Sequence, residues 1–214
     1  MPSESQSAFF SRITAALAHR GPTVDLPEDL EIARVVNGGD NPVEVFVRRV
    51  EQSGMHPHRV RGEAALVEKV LELTTQLSAR SAIVPYEEMP AREEIVAGLR
   101  ACGIDLLNPD DPDAAFTADV GITGVRMAVA ETASMSVVSG EGHRRLASLA
   151  VPAHIAIVRA EQIVPDLLDW GRAAATPPPA NEVLISAMSK TADIEGILVP
   201  GVHGPGIVHV LVLE

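Results

Sequence analysis

Apolar residues recur at helical spacing in two stretches near the start of the chain. Phe9, Ile13, Ala16 and Leu17 predict an amphipathic helix over 3–20, with Ser3 or Ser5 as its cap and Gly21 as its stop. Asn41-Pro42 opens a second helix, a capping residue before a proline at the first helical position, and Val43, Phe46, Val47 and Val50 form its stripe. The stretch between them, 21–40, holds two prolines and a Gly-Gly and reads as a connector. From residue 56 the pattern changes to short apolar runs alternating with amphipathic helices, which is the signature of an α/β fold. Strands are expected at 56–60, 81–85 and 104–108, with helices over 62–79 and 89–103. Between 114 and 158 glycines punctuate the chain. There 125–131 and 134–138 read as adjacent strands, 144–149 as a short helix and 153–158 as a buried strand. The last section predicts a helix over 163–174, a strand over 182–186, a short helix near 191–197 and a final strand over 207–214. The expected division is an N-terminal helical extension over 1–55 and an α/β domain over 56–214.

Composition narrows the function. A chain of 214 residues, 46% hydrophobic, removes about 70% of its unfolded surface from water on folding and needs neither disulfide nor metal to hold together. A net charge of −12 repels phosphate backbones and anionic lipid heads, so nucleic acid and membrane surfaces are excluded as partners. No apolar run approaches the roughly 20 residues of a membrane span, and the first residues lack a basic-then-apolar signal layout, so a cytoplasmic protein is expected. The single cysteine, Cys102, excludes an intramolecular disulfide and a four-thiolate iron–sulfur cluster built by this chain alone. Placed near the end of a predicted helix, it reads as an inert buried thiol.

Four segments could carry chemistry. In SGEGHRR (139–145), Gly140, Glu141 and Gly142 lead into a predicted helix. Such a loop can turn its N–H groups toward a phosphate or carboxylate, supplemented by Arg144 or Arg145, and it can equally be a plain turn. It lacks P-loop spacing. Glu131-Thr132 follows the apolar run Met127–Ala130, and a partly desolvated carboxylate there suits proton transfer, which makes Glu131 the catalytic candidate beside a structural role at the strand end. In SAMSKTADIE (186–195), Ser189 or Thr191 can cap a helix bearing Asp193 and Glu195, or face a ligand at the sheet edge. GVHGPG (201–206) frames His203 with glycines, Gly204 among them. His56 and His58 share a strand face, yet no three-ligand set has the spacing of a zinc site, and no metal is expected. Glu87, Glu88, Glu93 and Glu94 read as a solvated loop and first helical turn.

Taken together, ADVGITGV, AVAET, SGEGH-x-R-LASL, P-x-HIAIV, SKTADIE and GVHGP, in order over about 118–205, resemble the lactate-utilization protein C (LutC/YkgG) family. The resemblance implies a single LUD domain, a mostly parallel sheet flanked by helices, similar in fold to ribose-5-phosphate isomerase, glucosamine-phosphate deaminase and the CoA-transferases. It further implies participation in oxidising L-lactate to pyruvate with iron–sulfur partner subunits, whose clusters this chain would not carry, and binding of a small anionic metabolite. The positions it carries over are Glu131, Thr132, Gly140, Glu141, Gly142, Arg144, His154, Ser189, Thr191, Asp193, Glu195, His203 and Gly204. Ala133 stands where the family has glycine, and Ala187-Met188 where it has Gly-Pro. A free-standing enzyme acting on a sugar phosphate or CoA thioester, with Glu131 as acid–base or nucleophile, and a ligand-sensing regulatory module are the alternatives.

Overall fold

Short, strongly apolar runs buried on both faces are what the interior of a parallel sheet demands, and the six-stranded sheet of this protein has them in its middle, with partly exposed strands at its two edges. A computed structural model describes residues 5–18, 21, 34, 36, 40–140, 144–173, 178–194 and 196–214. The central sheet contains β1 (His56–Val60), β2 (Ser81–Ile83), β3 (Asp105–Leu107), β4 (Val120–Gly124), β7 (Ala153–Arg159) and β12 (Ile207–Leu213). Their order is β1-β12-β7-β4-β2-β3 and every neighbouring pair is parallel. The chain runs outward from β2 to β3, then returns past β2 to β4 and β7, so connections diverge between β2 and β4. In open α/β sheets that divergence opens a crevice at the C-terminal strand ends.

Period-two alternation sorts the strand residues onto two faces. Ala82, Val120, Ile122, Ile155, Ile157 and Leu211 meet α3 (Glu63–Gln76) and α4 (Arg92–Ala101) through Leu66, Val70, Leu73, Ile95 and Leu99. On the opposite face Ile83 packs beneath α5 (Ala114–Thr117) and α6 (Leu146–Leu149). Farther along that face, Ala156, Val158, Val208, Val210 and Val212 pack against α2 (Pro42–Gln52) and a second sheet. That sheet has the order β8-β5-β6-β9, built from β5 (Met127–Val129), β6 (Ser134–Ser139), β8 (Ile163–Val164) and β9 (Asn181–Ile185). Helix α2 begins as Asn41-Pro42 dictates: Asn41 Oδ1 accepts the Val43 N–H at 3.0 Å. Phe46 in its centre is fully buried, a burial worth about 2–3 kcal/mol. The N-terminal helix α1 (Gln6–Leu17) is capped by Ser5 and belongs to a separate compact unit, 1–34, while the rest forms the unit 35–214.

Close approach fixes one glycine. A Cβ at Gly121 would lie 1.7 Å from the Ala147 carbonyl oxygen, so α6 can lie against β4 only because position 121 has no side chain.

Three elements differ from the pattern reading. Where a short helix near 191–197 is expected, β10 (Lys190–Ile194) and β11 (Ile197–Pro200) instead pair as antiparallel strands, with Gly196 between them at φ +72°. The segment 163–174 begins as β8, and α7 (Leu167–Arg172) starts only after Pro165, capped by Asp166, which accepts the Leu168 and Asp169 N–H groups at 2.9 Å. Cys102 is exposed rather than buried, because it is the C-cap residue of α4, beyond the helix's buried Ile95, Val96 and Leu99.

Candidate functional site

At the C-terminal ends of β2 and β3, a cavity of about 380 Å³ opens between the 109–112 loop and the start of α6. Ile83, Asp110, Ala115, Ser139, Gly140, Arg144 and Arg145 are among its walls. Arg144 donates to Asp110 at 2.6 Å and to the Gly140 carbonyl at 3.2 Å, which fixes its guanidinium and cancels its charge. Arg145 has no carboxylate partner within ion-pair distance among the described residues, and with Asp111 on the same lining the cavity walls carry two guanidiniums and two carboxylates. Ser139 Oγ, shielded from solvent, has no hydrogen-bond partner among the described residues. A buried hydroxyl left unsatisfied costs about 1–3 kcal/mol.

Across the end of β6, where Val137 and Val138 replace Ser139 and Gly140 as wall, lies a second cavity of about 460 Å³. It opens at the ends of β4 and β7 and is bordered by Glu87, Glu88, Gly124, Arg126, Arg159 and Gln162. Glu87 belongs to no solvated cluster: only 6% exposed, it accepts the Gly124 N–H at 2.8 Å. A Cβ at Gly124 would stand 3.0 Å from Met89 Cβ and 3.7 Å from Glu87 Oε1. Arg126 is held by Glu182 at 2.6 Å and by the Ala173 carbonyl at 3.0 Å. Burial alone would raise the Glu182 pKa, but hydrogen bonds from Ser136, Arg126 and Trp170, with the Arg126 charge, outweigh it and hold the carboxyl below its ordinary value.

The opposite, N-terminal ends of β7 and β12 carry different chemistry. A cavity of about 410 Å³ there is walled by Ser148, Ser186, Ser189, His203 and Gly204, and a neighbouring one of about 290 Å³ shares His203 and Gly204. The 201–206 loop is tied down by Ser189, whose N–H donates to Pro205 O at 2.8 Å and whose carbonyl accepts from Gly201 at 2.9 Å. Gly204 is needed for this closeness: a Cβ there would stand 2.9 Å from Leu149 O and 3.4 Å from Ser189 Cβ. A hydroxyl chain runs from Thr132 to Ser134 to Ser186 in steps of 2.7 Å and ends at this cavity.

The residues anticipated from sequence are therefore distributed over two ends of the sheet. Gly140 and Arg144 line the C-terminal cavity; Ser189, His203 and Gly204 line the N-terminal one, and Thr132 reaches it through two serines. Glu131 sits half-buried in the β5–β6 turn, its N–H donating to Pro165 O at 3.0 Å, and lines neither cavity. In the same turn Ala133 has φ +54°, a left-handed conformation that glycine adopts at less cost. Met188 packs among the residues under the second sheet, beside Gly54. Thr191 pairs with Val199 in the β10–β11 hairpin instead of capping a helix. Asp193 lies in β10. Glu141, Gly142 and Glu195 lie outside the described residues. His154, fully buried on β7, bonds Thr123 through Nε2 at 2.9 Å, and burial pushes its pKa down to about 3.

Sequence reasoning passed over Ser139, Ser148, Ser186, Glu87 and Arg126. Each acquires its place through a partner or wall distant in sequence; the Glu87 to Gly124 bond, for example, spans 37 positions.

The donor set for a metal or cluster is thin. The chain has one cysteine, and among the described residues no group of three His, Cys, Asp or Glu side chains is arranged to hold an ion. Among the described residues no helix is long and apolar enough to cross a membrane.

Comparison with known proteins agrees with this architecture. A solved structure of a DUF162 family protein from Deinococcus radiodurans superposes with a TM-score of 0.62 at 26% identity, covering 81% of this chain and 96% of that one. Lactate utilization protein C from Exiguobacterium sp. is 30% identical over 181 residues, 80% of this chain and 78% of that protein. Lactate utilization protein B from Shouchella clausii is 53% identical over 50 residues, 23% of this chain, so the match spans only 10% of that longer protein. The family model of the LUD domain matches residues 43–213, from the first turn of α2 to the last residue of β12, and the chain belongs to the LUD domain family.

Proposed function

We propose that this protein is the cluster-free member of a lactate-utilization system and that it binds a small anionic metabolite in the cavity beside Arg144 and Arg145. Relatives named Lactate utilization protein C support the first half of this reading. The observation that carries the second is the pair of neighbouring guanidiniums, Arg144 and Arg145, on the lining of one cavity, the second of them with no ion pair among the described residues. Guanidinium N–H groups at the C-terminal strand ends can donate charge-assisted hydrogen bonds to a small anion. The electron-transferring clusters belong, in this reading, to partner proteins, since one cysteine cannot furnish four thiolates.

Thermal unfolding with inorganic phosphate, pyruvate and L-lactate tests the site. At least one anion raises the melting temperature of the parent chain, and Arg145→Ala abolishes the rise. Absence of any shift in the parent, or an undiminished shift in the variant, overturns the assignment.

A further inference from the structure

The segments SAMSK (186–190) and GVHGPG (201–206), which the anion cavity leaves unused, meet at the N-terminal end of the sheet. Three backbone bonds hold them there: Ser189 N–H to Pro205 O at 2.8 Å, Gly201 N–H to Ser189 O at 2.9 Å and Gly206 N–H to Pro152 O at 3.0 Å. The Ser189 side chain then lies against Gly204, where an added Cβ would stand 3.4 Å from Ser189 Cβ and 3.6 Å from its Oγ. The wall of the cavity of about 410 Å³ is thus set by backbone before any ligand arrives, which lowers the ordering cost of binding. Its volume falls in the range of small-molecule sites.

Two properties of that wall select a chemical class. The first is the lack of ionised partners. Leu149, Val183, Ile185, Pro205 and Val208 are among its apolar groups, and among the described residues no Arg, Lys, Asp or Glu lines it. A carboxylate or ammonium moved from water to such walls loses hydration without meeting an opposite charge. An uncharged apolar body gains by the same move. The second property is a pair of hydroxyls that act in either direction. The Ser189 hydroxyl bonds no described residue. Ser186 Oγ ends the chain from Thr132 through Ser134, and in each step of that chain either oxygen can be the donor. With one orientation of the chain Ser186 accepts from Ser134 and turns its own O–H to the cavity. With the other it donates to Ser134 and presents a lone pair, so a carbonyl and a hydroxyl are received equally well.

We propose that this cavity is a second binding site, for an uncharged small molecule with an apolar body and a hydroxyl or carbonyl head, the head received by Ser186 and Ser189. The site lies at the other end of the sheet from Arg144 and Arg145 and does not depend on the anion reading.

Calorimetric titration of the full chain at neutral pH with benzyl alcohol, benzamide, benzoate and benzylamine tests it, since the four share one apolar ring and only the last two are ionised. The expected result is binding of benzyl alcohol and benzamide about tenfold or more tighter than of benzoate and benzylamine. Ser186→Ala and Ser189→Ala each weaken binding of the two uncharged probes about three- to tenfold, the size of one neutral hydrogen bond, while Arg145→Ala leaves it unchanged. Melting curves establish that the variants are folded, and Ser189→Ala, which breaks no side-chain bond to a described residue, keeps the test valid where Ser186→Ala does not fold. No binding of either uncharged probe, charged probes bound as tightly, parental affinity in a folded serine variant, or loss of the uncharged probes in Arg145→Ala overturns the site. Each of these outcomes leaves the phosphate test of the anion cavity untouched, so the two readings fail separately.

Discussion

The two ends of the central sheet enclose cavities of similar size and opposite character. At the C-terminal end the walls are charged, with Arg144, Arg145, Glu87 and Arg126. At the N-terminal end they are hydroxyl and imidazole groups, Ser148, Ser186, Ser189 and His203, beside the exposed apolar side chains of Phe116 and Val202. Helix α6 runs between them, with Leu146 facing one cavity and Ser148 and Leu149 facing the other. Volume therefore says little about what a cavity selects. The kind of wall group says more, and of these cavities only those at the C-terminal end are lined by Arg, Asp or Glu side chains.

The comparison breaks most severely if α6 is displaced. Gly121→Ala drives a Cβ into the Ala147 carbonyl, and we expect a loss of about 3 kcal/mol or more in urea unfolding, with the walls of both cavities disturbed together. Retention of parental stability would mean that α6 does not depend on β4 for its place.

Acid produces the next largest effect. His154 is buried among strands, and His58 and His209 lie 3.0 Å apart across β1 and β12. Burial is the main cause that lowers all three, to about 3 for His154 and about 4 for His209, with neighbouring histidines adding to the shift of His58 and His209. The unfolded chain protonates these rings below about pH 6.5 while the fold keeps them neutral. Stability is thus complete above pH 6.5 and declines as pH falls toward 4. Allowing for the half-exposed pair, we expect a loss on the order of 2–4 kcal/mol in chemical denaturation at pH 4 against pH 7.5. His209→Phe should flatten the upper part of that decline.

A smaller effect separates the two ends directly. Arg145→Ala weakens phosphate binding about tenfold, or about 1.4 kcal/mol, as read by titration, whereas Ser186→Ala leaves it unchanged. The smallest effect is on the hydroxyl chain itself. Ser186→Ala removes one partner of Ser134 and costs about 0.5–1.5 kcal/mol of stability, measured by thermal unfolding.

Much of the scaffold is legible in the sequence because local signals agree with tertiary demands. Asn41-Pro42 starts α2 where a cap and an N1 proline require, and β12 occupies the stretch that its apolar run marks. Strand β4 is harder to see, since Val120–Gly124 is buried on both faces and two of its five residues are glycines, which erases alternation. The β10–β11 hairpin imitates a helix start, for Lys190-Thr191 followed by acidic residues fits a first turn as well as it fits a strand. At the site, the loop at 139–145 announces itself by its glycines and arginines. Ser139, Glu87 and Ser186 do not, because a hydroxyl or carboxylate becomes informative only when folding removes its water and supplies or withholds a partner.

The exposed Cys102 at the end of α4 has a practical consequence. As the lone thiol of the chain, it gives a single chemically addressable position without any substitution. A fluorophore attached there would report on whatever protein approaches this corner, and the rate of its attachment would fall when a partner covers it.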